Sequence, residues 1–144
     1  QSNRAVIPSI INQCLKSRDK KIILGNVNPK RDFSYVSDTC EAFFKVCNNK
    51  KSFGQIINSG TNTNISINDL AKKIFKIMKL KYKIRSTSKK MRPNLSEVNN
   101  LLCANKKIKK LTNWKPKVNI DEGLKKTIEW VKLNQSKYGD DYTL

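Results

Sequence analysis

From residue 66 to 78 the apolar side chains fall on one face of a helix. Ile67, Leu70, Ala71, Ile74, Phe75 and Met78 follow the spacing i, i+3, i+4, i+7, i+8, i+11, a stripe that must be buried against another layer of structure. Ser66-Ile67-Asn68-Asp69 supplies a capping signature at its head. Four weaker helical segments accompany it. One starts at Pro8 and carries Ile10, Ile11, Cys14 and Leu15. One opens at Ser37-Asp38, and its stripe of Cys40, Phe43, Phe44 and Cys47 reads as core-facing. A lysine-rich segment carries Ile108 and Leu111 and stops at Trp114-Lys115-Pro116. The last begins near Asn119, with Glu122 as capping partner, and continues through Leu124, Ile128 and Val131.

Short β segments lie between these helices. Ile22-Ile23-Leu24 is bounded by Gly25-Asn26 and the Asn28-Pro29 turn. Residues 32–36 place Phe33 and Tyr35 on one face by the two-residue period. Residues 55–58 form a third run. Tyr82, Ile84 and Ser86 alternate with Lys81, Lys83 and Arg85 to give a fourth. The pattern is mixed α and β, with two or three strands that have no evident partner.

At 144 residues the chain suits one domain. No stretch approaches the roughly 20 apolar residues of a membrane span. With no histidine, Ser-His-Asp, Cys-His and histidine–metal chemistry are excluded within the chain. Cys14, Cys40, Cys47 and Cys103 form no C-x-x-C pair and read as small buried hydrophobes in a reducing cytoplasm. The net charge of +19 comes from 30 basic residues. Twenty-five of these are lysines spread along the whole length, beside 17 asparagines. Such a spread fits an AT-rich coding sequence better than a nucleic-acid module, which clusters arginine and aromatics. A basic, non-enzymatic polyanion binder is the alternative reading.

Against that lysine background, two arginine segments stand out: Arg31-Asp32-Phe33-Ser34-Tyr35-Val36-Ser37-Asp38 and Arg92-Pro93-Asn94-Leu95-Ser96-Glu97-Val98. A guanidinium presents a planar fork of donors that matches a phosphate oxygen pair. Pro93 biases Arg92 toward an extended backbone. Glu97 adds a carboxylate able to accept from sugar hydroxyls. Ion pairing and solvated loops account for each segment separately. Together they suit a ligand carrying phosphate and hydroxyls, such as a nucleotide sugar.

These segments occur in a set order. Arg4-Ala5-Val6-Ile7-Pro8 is followed by Gly25-Asn26, Arg31 to Thr39, Ile57-Asn58-Ser59-Gly60 and Ile65 to Leu70. Arg92-Pro93, Ser96-Glu97-Val98 and Trp114-Lys115-Pro116 complete the series. In this the chain resembles the C-terminal part of extended short-chain dehydrogenase/reductases, the NAD-dependent epimerase/dehydratase family. Within that family it is most similar to 4,6-dehydratases of nucleotide-linked N-acetylglucosamine. The resemblance implies an α/β fold, the C-terminal part of an NAD(P)-binding Rossmann-like structure. This would comprise a small mixed α/β substrate domain with the last helix and strand of the Rossmann sheet. Residues 1–134 would form the nucleotide-sugar-binding region, with 37–58 contributing to the sheet, and 135–144 a polar, mobile tail.

By the same resemblance Arg31 and Arg92 would contact the diphosphate and Glu97 the ribose hydroxyls. Ala5, Val6, Asn26 and Phe33 would line the base region. The complete enzyme would oxidise C4 of the sugar with hydride transfer to NAD, eliminate water and return the hydride at C6. It would be cytoplasmic and homodimeric, with a nucleotide-sugar substrate. The family's Gly-rich dinucleotide fingerprint is missing here, however. So is its Tyr-x-x-x-Lys pair: four residues after Tyr35, Tyr82 and Tyr138 stand Thr39, Ser86 and Tyr142. The chain therefore offers no catalytic, cofactor-binding or metal-ligating residue of its own, and its partner would be the missing N-terminal half. Alone it is expected to be inactive.

Overall fold

A computed structural model describes residues 5–88 and 96–138. The chain folds as two units, the first built from residues 1–29, 66–99 and 124–144, the second from 30–65 and 100–123.

In the first unit, α1 (Val6–Lys16) runs into β1 (Lys21–Leu24), which pairs in parallel with β4 (Lys83–Ser86) in the register Ile22 to Ile84 and Leu24 to Ser86. The helix that links them is α3 (Ile67–Met78). The stripe read from its sequence is the buried one: Leu70, Ala71, Ile74 and Phe75 are buried with Ile10, Ile11 and Cys14 of α1 and Ile22 and Leu24 of β1, and α1 packs against both α3 and β1. Ser66 caps α3, its hydroxyl oxygen accepting the Asp69 N–H at 3.0 Å while its O–H donates to the Asp69 carboxylate at 2.7 Å. Tyr82 stacks obliquely on Phe75 at 5.9 Å and directs its hydroxyl to the Cys14 and Ser17 carbonyls. This arrangement pins the approach to β4 under α1.

The second unit begins with β2 (Lys30–Arg31), which pairs with β3 (Ile65–Ser66). The sequence predicts a strand over 32–36. Instead the ladder stops at Arg31, because the side chain of Asp32 is engaged by the 61–62 turn, and α2 (Val36–Cys47) starts at once. A 3-10 turn at Lys50–Ser52 and α4 (Lys106–Thr112) follow. Asn113 terminates α4 in the left-handed conformation, φ 54°. The core of this unit is Ala42 of α2 with Ile108 and Trp114, flanked by Val46 and Ile57.

The stripe of α2 is corrected by the structure. Cys40, Phe43, Phe44 and Cys47 face outward, with Phe43 66% and Phe44 71% exposed, while Asp38 and Ala42 point inward. The helix is turned this way because the Asp38 carboxylate is drawn in to accept backbone N–H groups from Lys117 and Val118. Residues 55–58 also differ from expectation. Among the described residues they join no ladder, and Ile56 is 87% exposed. The Ile56 carbonyl accepts instead from Lys107 Nζ at 2.9 Å.

The last helix, α5 (Ile120–Leu133), opens where the sequence places it, with Asn119 Oδ1 accepting the Glu122 N–H at 2.9 Å. Leu124, Ile128 and Val131 are buried. Beyond α5 the described chain keeps local structure. Residues Gln135–Lys137 form a 3-10 turn, Tyr138 meets Trp130 edge-on at 6.1 Å, and Lys137 Nζ lies 5.6 Å from the centre of the same indole ring. No helix among the described residues is long and apolar enough to cross a membrane.

Candidate functional site

The residues singled out by sequence fall in both units. In the second, Arg31 ends β2, half-buried, and its Nη1 donates to the Lys30 carbonyl at 2.9 Å. Phe33, also half-buried, lies in the irregular stretch between β2 and α2. In the first unit, Ala5 is the N-cap of α1 with an extended backbone, and its carbonyl accepts from the Ser9 N–H at 3.0 Å. Val6 is the first residue of that helix. Asn26 follows β1 and accepts the Asn28 N–H on its side-chain oxygen at 3.1 Å, an Asx turn that carries the chain out of the strand. Glu97 is half-buried in an irregular segment. Arg92 lies outside the described residues.

Around Arg31 the structure adds residues that the sequence reading passed over. Asp32 Oδ1 accepts the N–H of Thr61 at 3.0 Å and the Thr61 hydroxyl, and Oδ2 accepts the N–H of Asn62 at 2.9 Å and of Cys103 at 3.3 Å. Gly60 closes the turn. A methyl there would overlap Cys103 Cβ and come within 2.7 Å of its sulfur, so only glycine allows this approach. The Gly60 carbonyl accepts from buried Asn105 Nδ2 at 2.8 Å. Burial, and secondarily the Asp32 charge, push the Cys103 thiol above its ordinary pKa, so it is no ready nucleophile. An open cavity of about 540 Å³ borders this cluster, with Asp32, Ser34, Asn58, Gly60, Leu101 and Cys103 in its wall. The available signals in the sequence were the Asp that follows Arg31 and the Ser-Gly-Thr-Asn turn.

No three His, Cys, Asp or Glu side chains among the described residues gather as a metal site. The residues present do not fit a dinucleotide either: the 144-residue sequence has no G-x-G-x-x-G and no Tyr-x-x-x-Lys. Among the described residues the arrangement brings a guanidinium, a carboxylate that accepts four hydrogen bonds and an open cavity into one unit.

Fold and site together define one part of a Rossmann-like extended short-chain dehydrogenase/reductase. A search against family models sharpens this, since the GDP-mannose 4,6 dehydratase model matches residues 1–127. The chain belongs to that family of nucleotide-sugar dehydratases and epimerases. It is 34% identical over 129 residues to a putative UDP-glucose 4-epimerase of Methanocaldococcus jannaschii, covering 90% of this chain and 39% of that one. It is likewise 34% identical over 131 residues to the dTDP-D-glucose 4,6-dehydratase of Mus musculus, covering 90% and 36%. Among solved structures it superposes on the dTDP-glucose 4,6-dehydratase of Bacillus anthracis, a complex with NAD, with a TM-score of 0.83 at 23% identity, covering 96% of this chain and 42% of that one. The chain thus spans about two fifths of the length of the proteins it matches.

Proposed function

We propose that this chain is the nucleotide-sugar-binding portion of an NAD-dependent nucleotide-sugar 4,6-dehydratase or epimerase, acting in surface-glycan sugar biosynthesis. The observation that carries the reading is the placement of Arg31. Its guanidinium ends a strand whose flanking residues are tied down by hydrogen bonds, in a chain whose relatives include dehydratases and epimerases of nucleotide sugars. A fixed guanidinium fork is the group best suited to a diphosphate. In this reading Arg92 is the second diphosphate ligand and Glu97 accepts from the ribose hydroxyls. Ala5, Val6, Asn26 and Phe33 border the base, and the sugar belongs to the N-acetylglucosamine class.

NAD and the groups that carry out chemistry on the sugar belong to the portion of such enzymes that the chain does not match. The exposed face of α2, with Phe43 and Phe44, and the unpaired run 55–58 form the surface on which that portion packs. The complete enzyme is a cytoplasmic homodimer, a compartment consistent with four free thiols. Residues 1–144 alone are inactive.

Titration calorimetry with UDP-glucose, dTDP-glucose and GDP-mannose tests the reading. Binding of at least one is expected, and Arg31→Ala and Arg92→Ala should each weaken it about tenfold or more, the scale of a lost charge-assisted pair. Duplex DNA that binds equally well to both variants, with a steep salt slope, would replace the reading with that of a polyanion binder.

A further inference from the structure

We propose that Asp32 is a positioning residue for the anion site, acting through Arg31. The inference rests on the reading of Arg31 as a phosphate ligand. A two-residue strand has too few ladder bonds to fix a long side chain at its end, so the restraint on Arg31 must come from its neighbours. On its N-terminal side, the Lys30 carbonyl accepts the Leu101 N–H at 3.0 Å as well as the guanidinium of Arg31 itself. On its C-terminal side, Asp32 Oδ2 accepts the Cys103 N–H. Both attachments reach the same stretch of chain, so the backbone of Arg31 is bracketed between two points on residues 101–103.

The other oxygen of Asp32 fastens this bracket to the 61–62 turn. Thr61 donates to it through its N–H and its hydroxyl, and the same hydroxyl oxygen accepts the Thr63 N–H at 3.2 Å. Asn62 holds a left-handed backbone, φ 60°, that aims its N–H at Oδ2. The four groups surrounding the carboxylate all donate to it. A carboxylate is acceptor-only and satisfies all four. An amide would turn its N–H groups against the Asn62 and Cys103 N–H groups facing one way and against the Thr61 N–H facing the other. Gly60 and Cys103, in van der Waals contact, leave no slack for the turn to retreat. Asp32 is therefore occupied within the protein, and its effect on a ligand passes through the placement of the Arg31 fork, which is fixed before binding.

A double-mutant cycle on residues 1–144, read by calorimetry with UDP-glucose and dTDP-glucose, tests this. Asp32→Asn is expected to weaken binding about tenfold in the wild-type background and less than twofold in the Arg31→Ala background, with the circular dichroism unchanged. An equal loss in both backgrounds would mean that Asp32 supports the fold and nothing more, and would overturn the proposal. Should Asp32→Asn fail to fold, Thr61→Val runs the same cycle, since it removes one donor to the carboxylate and keeps the backbone bond. A chain that binds neither nucleotide sugar, or an Arg31→Ala variant that binds like wild type, would overturn the reading of Arg31 and this inference with it. Additive losses with the Arg31 effect intact would overturn the inference alone.

Discussion

The indole N–H of Trp114 donates to the backbone carbonyl of Asp38 at 3.0 Å, and both residues are almost wholly buried. The carboxylate of Asp38 meanwhile accepts from the backbone N–H groups of Lys117 and Val118 at 3.1 and 3.0 Å. One residue of α2 thus holds both the tryptophan that ends the α4 connection and the turn that leads into α5. Ion pairs from Lys117 to Glu41 at 2.8 Å, and from Lys45 to Glu41 at 3.6 Å, run alongside on the surface. The Lys117 hydrogen bond holds the Glu41 carboxyl below its usual pKa, but such exposed pairs contribute little to stability.

Asp38→Ala should therefore destabilise the chain far more than Glu41→Gln does. Both N–H groups bond the same carboxylate oxygen, so removing the side chain leaves two buried donors without an acceptor, at a cost of about 1–3 kcal/mol. The Glu41 change should cost far less, because its ion pairs lie in solvent and are screened. Urea unfolding followed by Trp fluorescence measures both, and equal midpoints for the two variants would contradict the role given to Asp38.

Cys14 yields a pH prediction. Burial pushes its thiol from the ordinary 9.0 up to about 12. The folded chain then keeps its proton where the unfolded chain loses it. The stabilising contribution is full below pH 9.0 and falls as pH rises through the interval up to about 12. The slope in that interval approaches about 1.4 kcal/mol per pH unit as an upper bound. Stability measured by urea at pH 7.5, 9 and 10 should decline, and Cys14→Ala should decline less. Parallel declines in the two proteins would assign the effect to other groups.

Much of the first unit could be read from sequence, because a single period governs it. Ile67 to Met78 and Ile10 to Cys14 are stripes with one outcome, and Ser66 caps its helix as its neighbours indicate. The second unit was harder to read. In α2, Phe43 and Phe44 outweigh Ala42 in any hydrophobic count, yet Ala42 is the one that meets Trp114. The face was decided by Asp38, whose partners lie 79 and 80 residues away in the chain. Asp32 is a similar case. Read as a strand residue, it instead receives bonds from positions 29, 30 and 71 residues distant. Polar anchors of this kind follow no period, so pattern reading assigns Arg31 and overlooks the residue that places it. For the candidate site, the sequence indicated Arg31 as a phosphate-type ligand, and the frame around it came only from the fold.

The outward face of α2 carries the last prediction. Val36, Phe43 and Phe44, with Ile56 and Phe53 in the same unit, are more than half exposed, an apolar concentration unusual for a surface left in water. If this face packs on the cofactor-binding portion of the complete enzyme, residues 1–144 alone should self-associate through it. The double substitution Phe43→Lys, Phe44→Lys should shift sedimentation toward monomer. It should change unfolding stability by no more than about 0.5 kcal/mol, because neither ring is buried within the chain. Cys40 and Cys47, exposed on the same helix, should react readily with a small alkylating reagent in the dilute chain and be shielded as it associates. Cys14 should stay unreacted until the chain unfolds. A double variant that associates as strongly as wild type, or thiols that react alike at high and low concentration, would show that this face is an ordinary solvated surface.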